Sequence, residues 1–153
     1  MRYLKKYAGL LIVFILTACT VSKTICPCEA PEIIRLGKKE IEINAQISLI
    51  DTVTSDKMKV MIWLTTLDHT SLPANFKADY YYLRSSNLTR AAFEGKFSRM
   101  STDTAKGIME LEASDAPRCG QKELIDVAVH LVDSRGKVYF LKKGSLPIQP
   151  TNH

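Results

Sequence analysis

The residues of this 153-residue chain that could do chemistry are few, and its thiols come first among them. Cys26-Pro27-Cys28 and the distant Cys119 could bridge or grip a soft metal ion. In an oxidising compartment the leading expectation is one disulfide from Cys26 or Cys28 to Cys119. A bridge between Cys26 and Cys119 would enclose 92 residues. A loop of that size could stabilise by up to about 4–5 kcal/mol in the chain-entropy picture. The odd thiol would pair between chains or stay free. The alternative is a metal site of Cys26, Cys28 and Cys119 with His69 or His130, since a Cys-x-Cys pair suits a soft metal. It lacks the second pair that defines a structural zinc site, so neither metal nor cofactor is expected. Asp68-His69-Thr70-Ser71 puts a base beside hydroxyls, but a nucleophilic triad is a matter of spatial geometry and no Gly-x-Ser-x-Gly elbow accompanies it. Glu110 and Glu112 share one face of a strand, as a carboxylate pair or as solvated side chains. Lys142-Lys143-Gly144-Ser145 looks like the end of a phosphate loop without its upstream glycine. His130 reads as a surface residue. Catalysis is not expected. Trp63 and Tyr81 remain as anchors for a partner, because large amphipathic rings dominate interfaces.

The elements that would carry these residues begin with a leader. Arg2, Lys5 and Lys6 precede an unbroken apolar run from Leu10 to Leu16, and no acid appears before Glu29. The run is too short to cross a bilayer of roughly 30 Å, so it reads as a secretory signal. It ends Leu16-Thr17-Ala18-Cys19, which resembles the lipobox of bacterial lipoproteins. That resemblance covers the leader alone. It implies that diacylglycerol is attached to the Cys19 thiol and that residues 1–18 are then cleaved off. Acylation of the new Cys19 amino group can follow. Two or more chains, each buried methylene contributing about 0.8 kcal/mol, hold a protein stably at a membrane. Thr20 stands where an Asp retains enteric lipoproteins in the inner membrane, so the resemblance favours the periplasmic side of the outer membrane.

Removing the leader also changes the charge. The 21 Lys plus Arg lose Arg2, Lys5 and Lys6 against 16 Asp plus Glu, so the net charge falls from +5 to about +2. That takes away most of the basic excess that nucleic-acid binding would need, and no nucleic-acid partner is expected. The remainder is one globular domain in size, with apolar and charged fractions to match. Residues 19–38 carry Pro27, Pro31 and Gly37 with little apolar periodicity, and read as the lipidated N-terminus and a tether.

From residue 39 to 150 the pattern has period two. Ile41, Ile43, Ala45, Ile47 and Leu49 alternate with polar residues. Met58, Val60, Ile62 and Leu64 oppose Lys59, Met61, Trp63 and Thr65. Phe76, Ala78, Tyr80 and Tyr82 oppose Lys77, Asp79, Tyr81 and Leu83, which puts Tyr81 on the exposed face. Met109, Leu111 and Ala113 make another strand, and Ile125, Val127, Val129 and Leu131 another. Asp133-Ser134-Arg135-Gly136 suits a type I turn closed by a left-handed glycine, with Val138 starting the return strand. The stretch 87–100 fits either a short helix or a hairpin tip. Six or more strands without long helices argue an all-β, antiparallel domain. An immunoglobulin-like β-sandwich is the expected architecture, with a small β-barrel as the alternative.

The function expected from these features is that of an envelope lipoprotein, anchored through Cys19, that binds another envelope protein without catalysis. The alternative is a small-ligand or metal-binding lipoprotein using the Cys26/Cys28/Cys119 cluster or an aromatic pocket.

Overall fold

Residues whose side chains alternate between apolar and polar can bury one face of a strand and solvate the other. Nine segments form strands in the computed structural model, which describes residues 29–50, 55–85, 93–120 and 122–150. They are β1 (Ile33–Leu36), β2 (Lys39–Leu49), β3 (Lys57–Thr66), β4 (Phe76–Ser85), β5 (Phe93–Lys96), β6 (Arg99–Asp103), β7 (Ile108–Pro117), β8 (Leu124–Asp133) and β9 (Val138–Gln149). All but β6 bury part of their length. The leader, Cys19, Cys26, Cys28, most of the 51–56 turn and the first part of the 87–100 stretch lie outside the described residues. No described helix is long and apolar enough to cross a membrane.

The fold is all-β. The strands form one sheet in the order β5-β4-β8-β9-β2-β3-β7-β6, with β1 paired to β2. Every pairing is antiparallel except a short parallel join of β2 to β9, at Ile47↔Ile148 and Ser48↔Gln149. That join is where the structure departs from the expected sandwich. Two separate sheets would meet only through side chains, whereas here one hydrogen-bonded path runs from β5 to β6. The path curls until its ends are neighbours. Only Phe97 and Ser98 separate β5 at one end from β6 at the other. Among the described residues those two edges do not pair with each other, so the result is an open half-barrel.

Inside the curl lie Ile41, Ile43, Ile47, Met58, Val60, Ile62, Leu64, Leu111, Ile125, Val127, Val129, Leu131 and Leu141, all essentially inaccessible to solvent. Each fully buried aliphatic side chain contributes roughly 1.5–3 kcal/mol by leaving water. The parities expected for β2, β3, β7 and β8 match these positions.

The segment before β2 is part of the sheet. Leu36 is buried and residues 33–36 pair with residues 39–42 of β2 around the left-handed Gly37. Upstream, Pro31 accepts a hydrogen bond from the Lys142 amide at 2.9 Å, and Glu32 accepts one from Ile43 at 3.3 Å. Glu32 also pairs with Lys143 at 3.0 Å. The start of the described chain is thus stitched between β2 and β9.

The β8–β9 turn follows its sequence. The Gly136 amide donates to the Asp133 carbonyl at 3.0 Å, and Gly136 has φ 76°. Only a residue free of Cβ crowding takes that conformation easily.

Candidate functional site

Strand β4 sets the site through one extra residue. Ala78 pairs with Leu131 and Tyr80 pairs with His130, so Asp79 is inserted against β8. Such a bulge moves every later side chain to the other face. Phe76 and Ala78 point inward before it; Tyr81, Leu83 and Ser85 point inward after it.

Tyr81, expected as an exposed anchor, is therefore 0% exposed. Its ring packs at 6.0 Å from Phe93 and 5.5 Å from Phe97. Its hydroxyl donates to Asp115 Oδ1 of β7 at 2.7 Å, across the open side of the curl. Burial first, then the Asp115 carboxylate, pushes the Tyr81 phenol well above its usual range. Gly95 pairs with Tyr81 on β5, and any side chain there would overlap the Tyr81 ring.

The same bulge turns Tyr80 and Tyr82 outward. Tyr80 pairs with His130, and His130 pairs with Phe140. Ring centroids lie 5.8 Å apart for Tyr80 and His130, 5.2 Å for His130 and Phe140, and 6.1 Å for Tyr82 and Phe140. All four rings are half-buried on the convex face of β4-β8-β9. They tilt against each other by 56–60°, so they form steps and not a flat floor. Lys96 stands over Tyr80, its Nζ 5.7 Å from the ring centre. Asp79 Oδ2 lies 3.8 Å from His130 Nδ1, beyond hydrogen-bond reach, and that buried nitrogen has no hydrogen-bond partner among the described residues. Burial first, then Glu94, raises the Tyr82 phenol. The strand alternation read without the bulge hid this cluster. Its only signal in sequence was three consecutive tyrosines.

Trp63 is half-buried on the convex face of β3, and its Nε1 donates to Glu110 Oε2 at 3.2 Å. Glu112 pairs with Lys59 at 2.9 Å. The two carboxylates thus hold neighbours on the sheet surface. His69 has a positive φ of 53° in an exposed loop. The adjoining Asp68 accepts from Thr70 and then from Lys39, which together hold its carboxyl well below the usual range.

Cys119 is a free, half-buried thiol, which overturns the expected bridge to Cys26 or Cys28. Burial, then Glu123, raises its pKa. Of the ligands named for the alternative metal site, Cys26 and Cys28 lie outside the described residues, and Cys119 and His69 stand far apart. Cys119 follows Pro117, which pairs with Lys57 at the start of β3, whereas His69 follows the end of β3. The ten-residue strand between them spans roughly 30 Å. Among the described residues no group of three or more His, Cys, Asp or Glu could hold a metal ion.

The remaining depressions are partly open to solvent, the larger of two at the β8–β9 turn measuring about 660 Å³ along Phe76, Asp79 and Val132. The other, of about 260 Å³, lies between Leu36, Pro73, Phe76 and Tyr139. No protein-family model matches the chain, and the comparison with curated proteins likewise finds no match.

Proposed function

We propose that the chain is a lipid-anchored, non-catalytic binding module of the bacterial envelope that holds a saccharide on its stepped aromatic face. The observation that carries this reading is the cluster Tyr80, Tyr82, His130 and Phe140, gathered half-exposed on one convex surface. Exposed apolar area that no core requires is the usual mark of a contact site. Ring steps tilted by 56–60° suit the puckered C–H faces of sugars better than a stack of planar bases. Six charges beside the rings balance, with Arg84, Lys96 and Lys142 against Asp79, Glu94 and Asp126. A mixed border favours a neutral or zwitterionic ligand and gives hydroxyl groups both donors and acceptors. Of the two anchors that a protein partner would have used, Tyr81 is buried and Trp63 is tied to Glu110. The ligand reading is therefore the better supported.

The membrane half of the proposal rests on Leu16-Thr17-Ala18-Cys19. Residues 1–18 are removed, Cys19 carries the lipid, and the domain faces the periplasm from the outer membrane. Nine residues lie between Cys19 and Glu29. Fully extended they reach about 30 Å, so the aromatic face works close to the membrane.

Two measurements test the two halves separately. Metabolic labelling with palmitate should mark the chain, and Cys19→Ser should abolish the label and release the protein from membranes. Label persisting in Cys19→Ser would remove the anchor from that residue. Calorimetric titration of the detergent-solubilised chain with neutral and N-acetylated oligosaccharides should detect binding that Phe140→Ala weakens at least about tenfold, the loss of one stacked ring. Absence of binding across that panel would overturn the ligand class.

A further inference from the structure

The two edges of the sheet are built differently. At one end β5 is held down, because Gly95 lies against the Tyr81 ring and Phe93 packs on it. At the other end β6 pairs, among the described residues, with β7 alone. All five of its side chains, Arg99 to Asp103, are exposed on both faces. Met100 at 59% is the most exposed large apolar side chain described. It sits opposite the buried Leu111, so it extends the inner face of the sheet beyond the edge of the core. Edge strands are normally blunted by short length, charged side chains, proline or a bulge. The strand Arg-Met-Ser-Thr-Asp has no proline and a charge only at each end, and its register with β7 runs without a break.

We infer that β6 is a self-association edge, on which a second copy of the chain adds its own β6 antiparallel about a two-fold axis at Ser101. The sequence is self-complementary in that register. Arg99 falls opposite Asp103 of the second copy, Asp103 opposite its Arg99, and Ser101 opposite Ser101. Opposite charges directly across a strand pair stabilise it, and like charges destabilise it. On the other face the two Met100 side chains become diagonal neighbours, about 7–8 Å apart at the backbone, and cover one another. A two-fold contact of this kind closes on itself and stops at a dimer, because each chain has one such edge. Main-chain hydrogen bonds supply the attachment, as in other strand additions. The proposal is independent of the ligand reading, since β6 and the aromatic face lie in opposite halves of the sheet.

The test uses the full chain in membranes. In Ser101→Cys the two introduced thiols sit directly opposite, with Cα atoms about 4.5–5.5 Å apart, within reach of a disulfide. Mild oxidation should convert the variant to a covalent dimer. The unsubstituted chain measures any background from its natural cysteines, and Lys106→Cys, on the adjoining exposed turn, measures chance collision. Adding Arg99→Asp or Asp103→Arg singly should cut the cross-linked fraction about tenfold, because both pairs become repulsive. Adding both together should restore it, as should mixing the two single-charge variants. Ser101→Cys cross-linking no better than Lys106→Cys would overturn the proposal. So would cross-linking that is indifferent to the charge reversals.

Discussion

The two convex faces of the curled sheet share a curvature and a strand alternation but were filled in opposite ways. On β2-β3-β7 the polar groups answer each other across strands. Trp63 donates to Glu110, Lys59 pairs with Glu112, and Thr65 donates to Glu42 at 3.2 Å. The single large ring there is fixed by its own nitrogen. On β4-β8-β9 rings lean on rings, and the hydrogen-bonding groups stand at the border. A folded domain has no need of four half-exposed rings side by side. The first face is a sheet surface of paired polar groups, and the second a half-exposed aromatic surface on which the proposed function rests.

The most damaging way to break this contrast is from beneath. Tyr81 fixes the phase of β4 and hence the outward aim of its neighbours. Tyr81→Ala should cost about 3–5 kcal/mol, read from the urea midpoint at unchanged slope. Tyr81→Phe keeps the ring and loses only the bond to Asp115, at about 1–3 kcal/mol. The two variants also differ with pH. The folded-state pKa of Tyr81 is raised, so the stability linked to its neutral form is complete below about pH 10 and declines as pH rises further. Tyr81→Phe should flatten that alkaline decline. A decline of equal slope in the variant would show that other groups cause it.

Gly95→Ala comes next. A Cβ at this position meets the Tyr81 ring, which is fully buried and packed between Phe93 and Phe97. Overpacking of this kind costs about 1–3 kcal/mol. The loss should vanish when the change is combined with Tyr81→Ala, since the obstacle is then gone. Simple additivity in that double variant would mean that Gly95 matters for backbone reasons alone.

Much of this arrangement was legible in the sequence. Strict alternation located β2, β3, β7 and β8, and the Asp133 to Gly136 stretch announced its own turn. What stayed hidden has identifiable causes. β1 is four residues long and lies between Pro31 and Gly37, where composition resembles a linker; its partner β2 makes it a strand. β5 is equally short, and only its pairing with β4 separates it from a hairpin tip. The bulge at Asp79 leaves no mark in hydropathy, because tyrosine is tolerated on either face. Counting by twos from Phe76 therefore reversed Tyr80, Tyr81 and Tyr82. A sandwich and a half-barrel also share the same strand patterns, and differ here in two residue pairs between β2 and β9.

The contrast sharpens when one residue is changed on each convex face. Phe140→Ala removes a half-buried ring and should cost about 1–2 kcal/mol of stability while abolishing most saccharide binding. Trp63→Phe loses one hydrogen bond, about 0.5–1.5 kcal/mol, and should leave binding untouched. If both variants bind equally well, the aromatic face is cladding and the contrast carries no function.

The smallest effect separates the loops at one end of the two halves. Asp133, behind the aromatic face, accepts from the amides of Lys137 at 3.0 Å and Arg135 at 2.8 Å and from the Tyr139 hydroxyl at 3.1 Å. The Lys137 amide contributes most to a carboxyl pKa below the ordinary range. Asp68, on the β2-β3 side, is lowered first by Thr70 and then by Lys39. For both groups the folded pKa is depressed, so the linked stability is present above about pH 4 and is lost as pH falls below it. Asp133→Asn and Asp68→Asn should each reduce the acid-side slope slightly. Salt distinguishes them. Added salt screens the exposed Lys39–Asp68 pair, at 3.0 Å, and erodes that part of its contribution. The amide bonds at Asp133 are short-range and local, so its share of the slope should persist in 0.5 M salt, on the order of a few times physiological strength. Equal salt sensitivity in the two variants would mean that long-range charge, and not the turn geometry, holds Asp133 ionised.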